Sequence, residues 1–296
     1  MNEEVTWDEG SVARLWMEPR ADDDKYSRGV VGVIAGSEAY PGAAALVVSG
    51  AARAGAGMVR YVGPMRAQDL VLQHRPEAVV HDPGDAAERL PRAQAWVVGS
   101  GVADYPEQDA AIGAAMASGT PLVVDAGALE TVAKARAAGS REASADRVLL
   151  TPHEGELMRT LNALRHDVTV TEVRADRAGY ARLLAETARA AVLLKGSTTI
   201  IASPGGGVVT LPEAPAWLAT AGSGDVLAGV AGTALASGLA ASDAGACAAW
   251  IHARAGAIAA GMTGPAPTVR RFHGHPIVAL DIARALPAAI ASLPRD

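Results

Sequence analysis

Val30-Val31-Gly32-Val33-Ile34-Ala35-Gly36-Ser37, then Pro41-Gly42-Ala43-Ala44, then Met58-Val59-Arg60-Tyr61-Val62, are the residues whose reading decides the fold. The first run is β-branched, almost free of polar groups, and stops at a glycine and a serine, as a strand buried on both faces does. Proline is suited to the first turn of a helix and alanine to its interior, so the small residues from Pro41 to about residue 54 read as a helix. The third run returns as a strand. Strand, helix and strand in this order make a βαβ unit, with two parallel strands joined across one face of a sheet.

The same alternation continues along the chain. Residues 95–98 read as a strand that stops at Gly99-Ser100-Gly101, residues 106–117 as a helix, and residues 121–124 as a strand that ends at Asp125-Ala126-Gly127. Residues 148–150 lead into Thr151-Pro152-His153, and a helix over about 171–190 precedes a strand at 192–194. The repeated order predicts an α/β fold with a mainly parallel sheet and helices on both faces. After Lys195 the pattern changes. Residues 199–202 and 208–211 flank Ser203-Pro204-Gly205-Gly206-Gly207, which reads as a hairpin at an antiparallel edge. No helix follows those glycines, so they read as a turn rather than a phosphate loop.

Composition narrows the possible functions. A chain of 296 residues, 50% hydrophobic and 20% charged, can bury one substantial core, and a single compact domain over residues 25–296 is expected. A net charge of −6, with no run of Lys or Arg, argues against a nucleic-acid or anionic-membrane surface. Cys247 is the only cysteine and lies in an apolar run, where it reads as a small buried hydrophobe; it leaves no disulfide within the chain. Residues 1–24 are acidic and polar, without a basic segment followed by an apolar one, so they read as a leader ahead of the fold rather than a secretion signal. A cytoplasmic protein without a membrane span is expected.

The polar punctuation falls at the carboxyl ends of the predicted strands, the edge where open α/β sheets hold their ligands. Gly36-Ser37, Gly99-Ser100-Gly101, Asp125, His153 and Lys195 are therefore expected to converge. A further stretch, Thr220-Ala221-Gly222-Ser223-Gly224-Asp225-Val226-Leu227-Ala228-Gly229, is a glycine turn feeding an apolar helix. Small residues let backbone N–H groups approach an anion, and the start of a helix adds unpaired donors, so a phosphoryl group fits there. The carboxylate of Asp225 would repel that anion. It is either a general base for a hydroxyl that is being phosphorylated or simply a helix cap.

Together with Gly36-Ser37-Glu38-Ala39-Tyr40-Pro41-Gly42-Ala43-Ala44, Val124-Asp125-Ala126-Gly127-Ala128-Leu129, Leu150-Thr151-Pro152-His153-Glu154-Gly155-Glu156 and Leu194-Lys195-Gly196-Ser197-Thr198-Thr199, that turn resembles the ADP-dependent (S)-NAD(P)H-hydrate dehydratase family. The resemblance runs in order over residues 25–293 and implies a ribokinase-like fold. Three positions depart from the family pattern. Ser223 stands where threonine is more usual, Glu154 where proline is frequent, and Gly99-Ser100-Gly101 is looser than the usual Gly-Pro-Gly turn.

The resemblance implies a repair reaction in which the S epimer of hydrated NADH or NADPH is returned to the active coenzyme, with ADP converted to AMP and phosphate. It implies Asp225 as base, with Gly222, Ser223 and Gly224 cradling the transferring phosphoryl through backbone donors. It places Ala43, Gly101, His153 and Asp225 against the hydrate, and Lys195, Gly196, Ser197, Thr198, Thr199 and Gly224 against the adenine nucleotide. Asp125 and Glu156 are candidates to orient Mg2+ through water. His273 and His275 read as structural. A separate epimerase would supply the S epimer, and a homotetramer is expected by resemblance. A small-alcohol kinase or a silent nucleotide-binding regulator would use the same anion turn; the Pro-Gly-Ala and Thr-Pro-His-Glu-Gly-Glu motifs favour the dehydratase, and Asp225 disfavours a mere regulator.

Overall fold

The computed structural model describes residues 5–16, 18–103, 105–140, 143–262 and 274–294. The strands are β1 (Val5–Thr6), β2 (Val30–Ile34), β3 (Met58–Val62), β4 (Val79–His81), β5 (Ala95–Val98), β6 (Leu122–Val124), β7 (Val148–Leu150), β8 (Ala191–Leu194), β9 (Ile200–Ala202) and β10 (Val208–Thr210). The helices are α1 (Glu9–Leu15), α2 (Pro41–Arg53), α3 (Met65–His74), α4 (Pro83–Glu88), α5 (Pro106–Ala117), α6 (Leu129–Ala137), α7 (Glu154–Ala163), α8 (Val170–Ala175), α9 (Arg177–Ala188), α10 (Ser223–Ala236), α11 (Ala241–Ala259) and α12 (Ala279–Ala291).

All these strands join one sheet in the order β1-β10-β9-β8-β7-β6-β5-β2-β3-β4. Strands β8 through β7, β6, β5, β2, β3 to β4 are parallel, and β9 is antiparallel to both β8 and β10. The expected mainly parallel sheet with an antiparallel hairpin is therefore present. Because side chains alternate along a strand, Val97, Val123, Leu149 and Leu193 enter one core, while Val98, Val124, Leu150 and Leu194 enter the other. The first core is closed by α2, α10, α11 and α12, and the second by α5, α6, α7 and α9. Three layers result. Among the described residues no helix is long and apolar enough to cross a membrane.

Within the first layer α2 and α10 meet backbone to backbone. A Cβ placed on Gly50 would lie 2.4 Å from the Val226 carbonyl oxygen, and one on Gly229 would lie 2.2 Å from that of Val47. Only glycine at both positions permits this approach, which seats the start of α2 and the start of α10 at the same sheet edge.

Three features were not read from the sequence. The segment ahead of Lys25, expected as a polar leader, contributes to the fold: β1 pairs in parallel with β10, Trp7 is buried, and Val12 of α1 is fully enclosed. Two apolar side chains spaced along an acidic stretch suffice to dock it. The single helix expected over 171–190 is two, because Asp176 leaves helical geometry and its carboxylate accepts from Gly179 N at 2.8 Å, opening α9. The edge strand β4 is short and only partly covered, and so carries little apolar signal.

Candidate active site

Asp125 ends β6 and is almost fully buried, at 2% exposure. Its Oδ2 accepts from Ser100 Oγ at 2.8 Å, and its Oδ1 accepts from Thr151 Oγ1 at 2.8 Å and from Lys195 Nζ at 2.7 Å. Ser100 follows β5, Thr151 follows β7 and Lys195 follows β8, so loops from successive parallel strands meet on one carboxylate. Burial alone would raise the Asp125 pKa. The adjoining Lys195 cation and the hydroxyl donors outweigh it and hold the carboxyl below its ordinary range.

Lys195, just after β8, is largely enclosed, with 19% of its side chain exposed. Its Nζ also lies 3.6 Å from Glu156 Oε2. Burial would pull the ammonium down, yet the Asp125 and Glu156 carboxylates prevail and raise it. Glu156 Oε2 accepts from His153 N at 2.8 Å, while His153 Nδ1 accepts from Gly155 N at 3.0 Å and Glu156 N at 3.3 Å. This reciprocal capping box starts α7. It commits Nδ1 of His153 to the helix, while Nε2 of the half-exposed ring lies 3.5 Å from Glu156 Oε1.

A bridging Mg2+ does not fit between Asp125 and Glu156 in this arrangement. Both Asp125 oxygens already accept hydrogen bonds, and the Lys195 ammonium sits between the two carboxylates, where a cation would go. The two carboxylates instead form an ion cluster with Lys195, and any orientation of Mg2+ by them would run through water. Among the described residues no group of three or more His, Cys, Asp or Glu is placed to hold a metal ion.

The glycine turn closes the other side. Gly222 has φ +82°, in the left-handed region that glycine occupies freely, and caps α10 at its N-terminus. A Cβ on Gly224 would lie 3.5 Å from Lys195 Nζ, which brings the turn against the lysine. Asp225, in the first turn of α10, is pushed up to about 7. Burial is the main cause and the Asp125 carboxylate adds to it, while Lys195 and a hydrogen bond from Ser100 work against them. A carboxyl group that exchanges its proton near neutrality can serve as a general base. The helix-cap reading of Asp225 loses its main support, since no side-chain bond caps α10.

Ala43 and Gly101 also meet at this edge. A Cβ on Gly101 would lie 2.4 Å from that of Ala43 and 3.3 Å from the Tyr40 carbonyl oxygen. Gly36 N donates to Ser100 O at 2.7 Å, and Gln108 Nε2 donates to Gly36 O at 2.8 Å, so the first two strand-end loops are locked together.

The 195–199 loop is brought in only at its start. Arg177 donates to Lys195 O at 3.1 Å and to Thr198 O at 2.7 Å, and its Nε lies 3.1 Å from Glu154 Oε1. Gly196 packs beneath the same guanidinium. Ser197 O and Thr199 O accept from Ala214 N and Leu211 N, and Thr199 lines a small cavity with Trp250 and Arg254. Sequence reasoning gave no role to Ser100, Thr151, Glu154 or Arg177. Ser100, Thr151 and Glu154 stand inside the quoted motifs; Arg177 carries no local signal, opening a helix whose pattern shows only an apolar face and scattered charges. His275 N donates to Ala260 O, in keeping with a structural role, and His273 lies outside the described residues.

A family model described as NAD(P)H-hydrate dehydratase matches residues 31–270. The bifunctional NAD(P)H-hydrate repair enzyme Nnr of Mycobacterium leprae is 44% identical over 261 residues, covering 86% of this chain and 50% of that protein. The ADP-dependent (S)-NAD(P)H-hydrate dehydratase of Neisseria meningitidis is 33% identical over 243 residues, covering 80% and 79%. The chain thus spans about half the length of its bifunctional relatives. Among solved structures, the ADP/ATP-dependent NAD(P)H-hydrate dehydratase of Bacillus subtilis, co-crystallised with ATP and Mg2+, superposes with a TM-score of 0.84 at 27% identity, covering 99% of each chain. The ribokinase-like architecture expected from the motifs is the one found. The chain belongs to the NAD(P)H-hydrate dehydratase family.

Proposed function

We propose that the protein dehydrates the S epimer of hydrated NADH or NADPH, consuming ADP and releasing AMP and phosphate. The observation that carries this reading is Asp225: a carboxyl group poised near pH 7, on the first turn of α10, beside a glycine turn that packs against Lys195. Family membership supplies the substrate class. The names of the Neisseria and Bacillus relatives support the nucleotide.

Hydroxide leaves poorly from carbon, so the hydroxyl of the hydrate is first phosphorylated. Its oxygen attacks the β-phosphorus of ADP as Asp225 accepts its proton, the bond to the AMP oxygen breaks, and AMP departs. Backbone N–H groups of Gly222, Ser223 and Gly224 face the charge that builds on the transferring group. The ring nitrogen lone pair then expels phosphate, and loss of the adjacent ring proton restores the double bond. His153 and the small pair Ala43 and Gly101 would border the nicotinamide. Lys195 and the Gly196, Ser197, Thr198 and Thr199 loop would border the nucleotide.

ADP is taken as its magnesium complex, which Asp125 and Glu156 would orient through water. The R epimer needs an epimerase, which we assign to a separate activity. A cytoplasmic homotetramer is the assembly we propose by likeness to the family. The decisive experiment incubates purified protein with hydrated NADH, Mg2+ and either ADP, ATP or no nucleotide, and follows the recovery of reduced-nicotinamide absorbance. Recovery that depends on nucleotide supports the reading. Phosphorylation of a small alcohol without any recovery would replace it with a kinase.

A further inference from the structure

We infer that His252 is a positioning residue for the glycine turn at the head of α10, acting through Ser223. His252 lies on α11 among buried Ala248, Ala249, Ile251 and Ala255, and its Nε2 is 3.3 Å from Ser223 Oγ. Both residues are 7% exposed. An imidazole in a layer of alanines is costly to desolvate unless its ring nitrogens are bonded, and Ser223 is the partner the fold supplies.

The turn needs that anchor. Gly222 and Gly224 have no side chain to hold their backbone, so Ser223 is the one residue between Gly222 and Asp225 that can be fixed from outside. Its main-chain ties are long: Ser223 N to Thr220 O and Val226 N to Gly222 O are both 3.3 Å. The Ser223 hydroxyl faces inward to the histidine and so ties the turn to α11. Burial keeps His252 neutral, with a pKa lowered to about 4, despite a hydrogen bond to the Ser223 backbone that favours the charged form. A neutral ring brings no charge to the phosphate side. His252 touches no reacting atom, and its effect passes wholly through the shape of residues 222–225.

This inference rests on the dehydratase reading for its kinetic test and has a second test that does not. His252→Leu and Ser223→Ala should each lower kcat for hydrated NADH about tenfold, the scale of one buried hydrogen bond, with the KM for ADP changed less than about threefold. The double variant should be no slower than the slower single variant, and His252→Gln, which keeps a polar group at the same reach, should recover most of the rate. Losses that multiply in the double variant, a rise in KM alone, or a glutamine no better than leucine would overturn it. Amide hydrogen exchange at residues 222–225 needs no turnover: it should quicken in His252→Leu and in Ser223→Ala and return towards normal in His252→Gln. Unchanged exchange in these variants would overturn the inference even where the unsubstituted protein restores no hydrate, a result that by itself removes only the proposed function. Should the leucine variant fail to fold, Ser223→Ala and His252→Gln carry both readouts.

Discussion

Lys195 Nζ and Asp125 Oδ1 stand 2.7 Å apart, with about a fifth of the lysine side chain and almost none of the aspartate open to solvent. Removing one partner strands the other charge. Lys195→Ala is expected to destabilise the protein by about 3–5 kcal/mol, and pairing Lys195→Met with Asp125→Asn to recover much of that loss. Urea denaturation checks both. Calorimetry with ADP separates the roles, since the double variant should regain stability without regaining nucleotide affinity. The pH dependence follows from the two directions. Asp125, held below its ordinary value, contributes stability above about pH 4 that is lost as pH falls through its folded pKa; Lys195, held above its ordinary value, contributes stability lost only when pH rises beyond about 10.5. Between those limits the pair should leave the urea midpoint flat.

Asp225→Asn removes the proton acceptor at nearly constant size. Turnover should drop about 10²-fold or more, while affinity for AMP is kept or tightened by the loss of a negative charge. In the unsubstituted enzyme kcat/KM should climb as pH rises through about 7, where Asp225 ionises, and level off above. Linkage gives a second sign. Because the folded-state pKa is raised, ionising Asp225 opposes folding, so the asparagine variant should melt higher than the parent at pH 8 and lose that advantage as pH falls toward 4. Equal rates for variant and parent at saturating substrates would remove the base assignment.

Gly101→Ala sets a methyl 2.4 Å from Ala43 Cβ at a residue whose φ is +64°. Overpacking and left-handed strain together should cost about 2–4 kcal/mol, and Ala43→Gly should relieve only the steric part. Melting temperatures of the two single variants and the double one measure that split. Ala43→Leu should chiefly raise the KM for the hydrate and leave AMP affinity intact; a loss of AMP binding in a folded Ala43→Leu protein would contradict the division of the site.

Nucleotide choice is open to a direct comparison. With the β-phosphoryl group over Gly224, the γ-phosphate of ATP would displace the reacting phosphorus from line, so kcat/KM with ADP should exceed that with ATP several-fold. Initial rates at matched free Mg2+ settle it. ATP turned over equally well would set aside the ADP preference and leave the mechanism standing.

Much of this molecule is legible in the chain because parallel strands are buried on both faces and write themselves as continuous apolar runs. The loops that end β2, β5, β6, β7 and β8 had to share an edge, which is why Gly101, Asp125, His153 and Lys195 could be expected together. Partnership was harder to read. Nothing near Lys195 in sequence indicates that Asp125, seventy residues earlier, would take its charge. Arg177 and His252 act across helices packed on opposite faces of the sheet, and their sequence neighbourhoods show only an exposed arginine and a stray polar residue in an apolar helix. Asp176 was overlooked for a different reason: a cap inside a helical pattern is visible only when the backbone turns there.

The contact of α2 with α10 through Gly50 and Gly229 gives distant methyl groups a hold on the chemistry. Gly50 lies seven residues beyond Ala43, about 10 Å along its helix, and Gly229 four residues beyond Asp225, about 6 Å along the other. A single added carbon at either glycine would wedge the helices apart, and the gap would propagate to their starts as a shift of base against substrate. Natural variation in this protein is therefore tied not only at the rim that meets the ligand but at two buried hydrogens that never do.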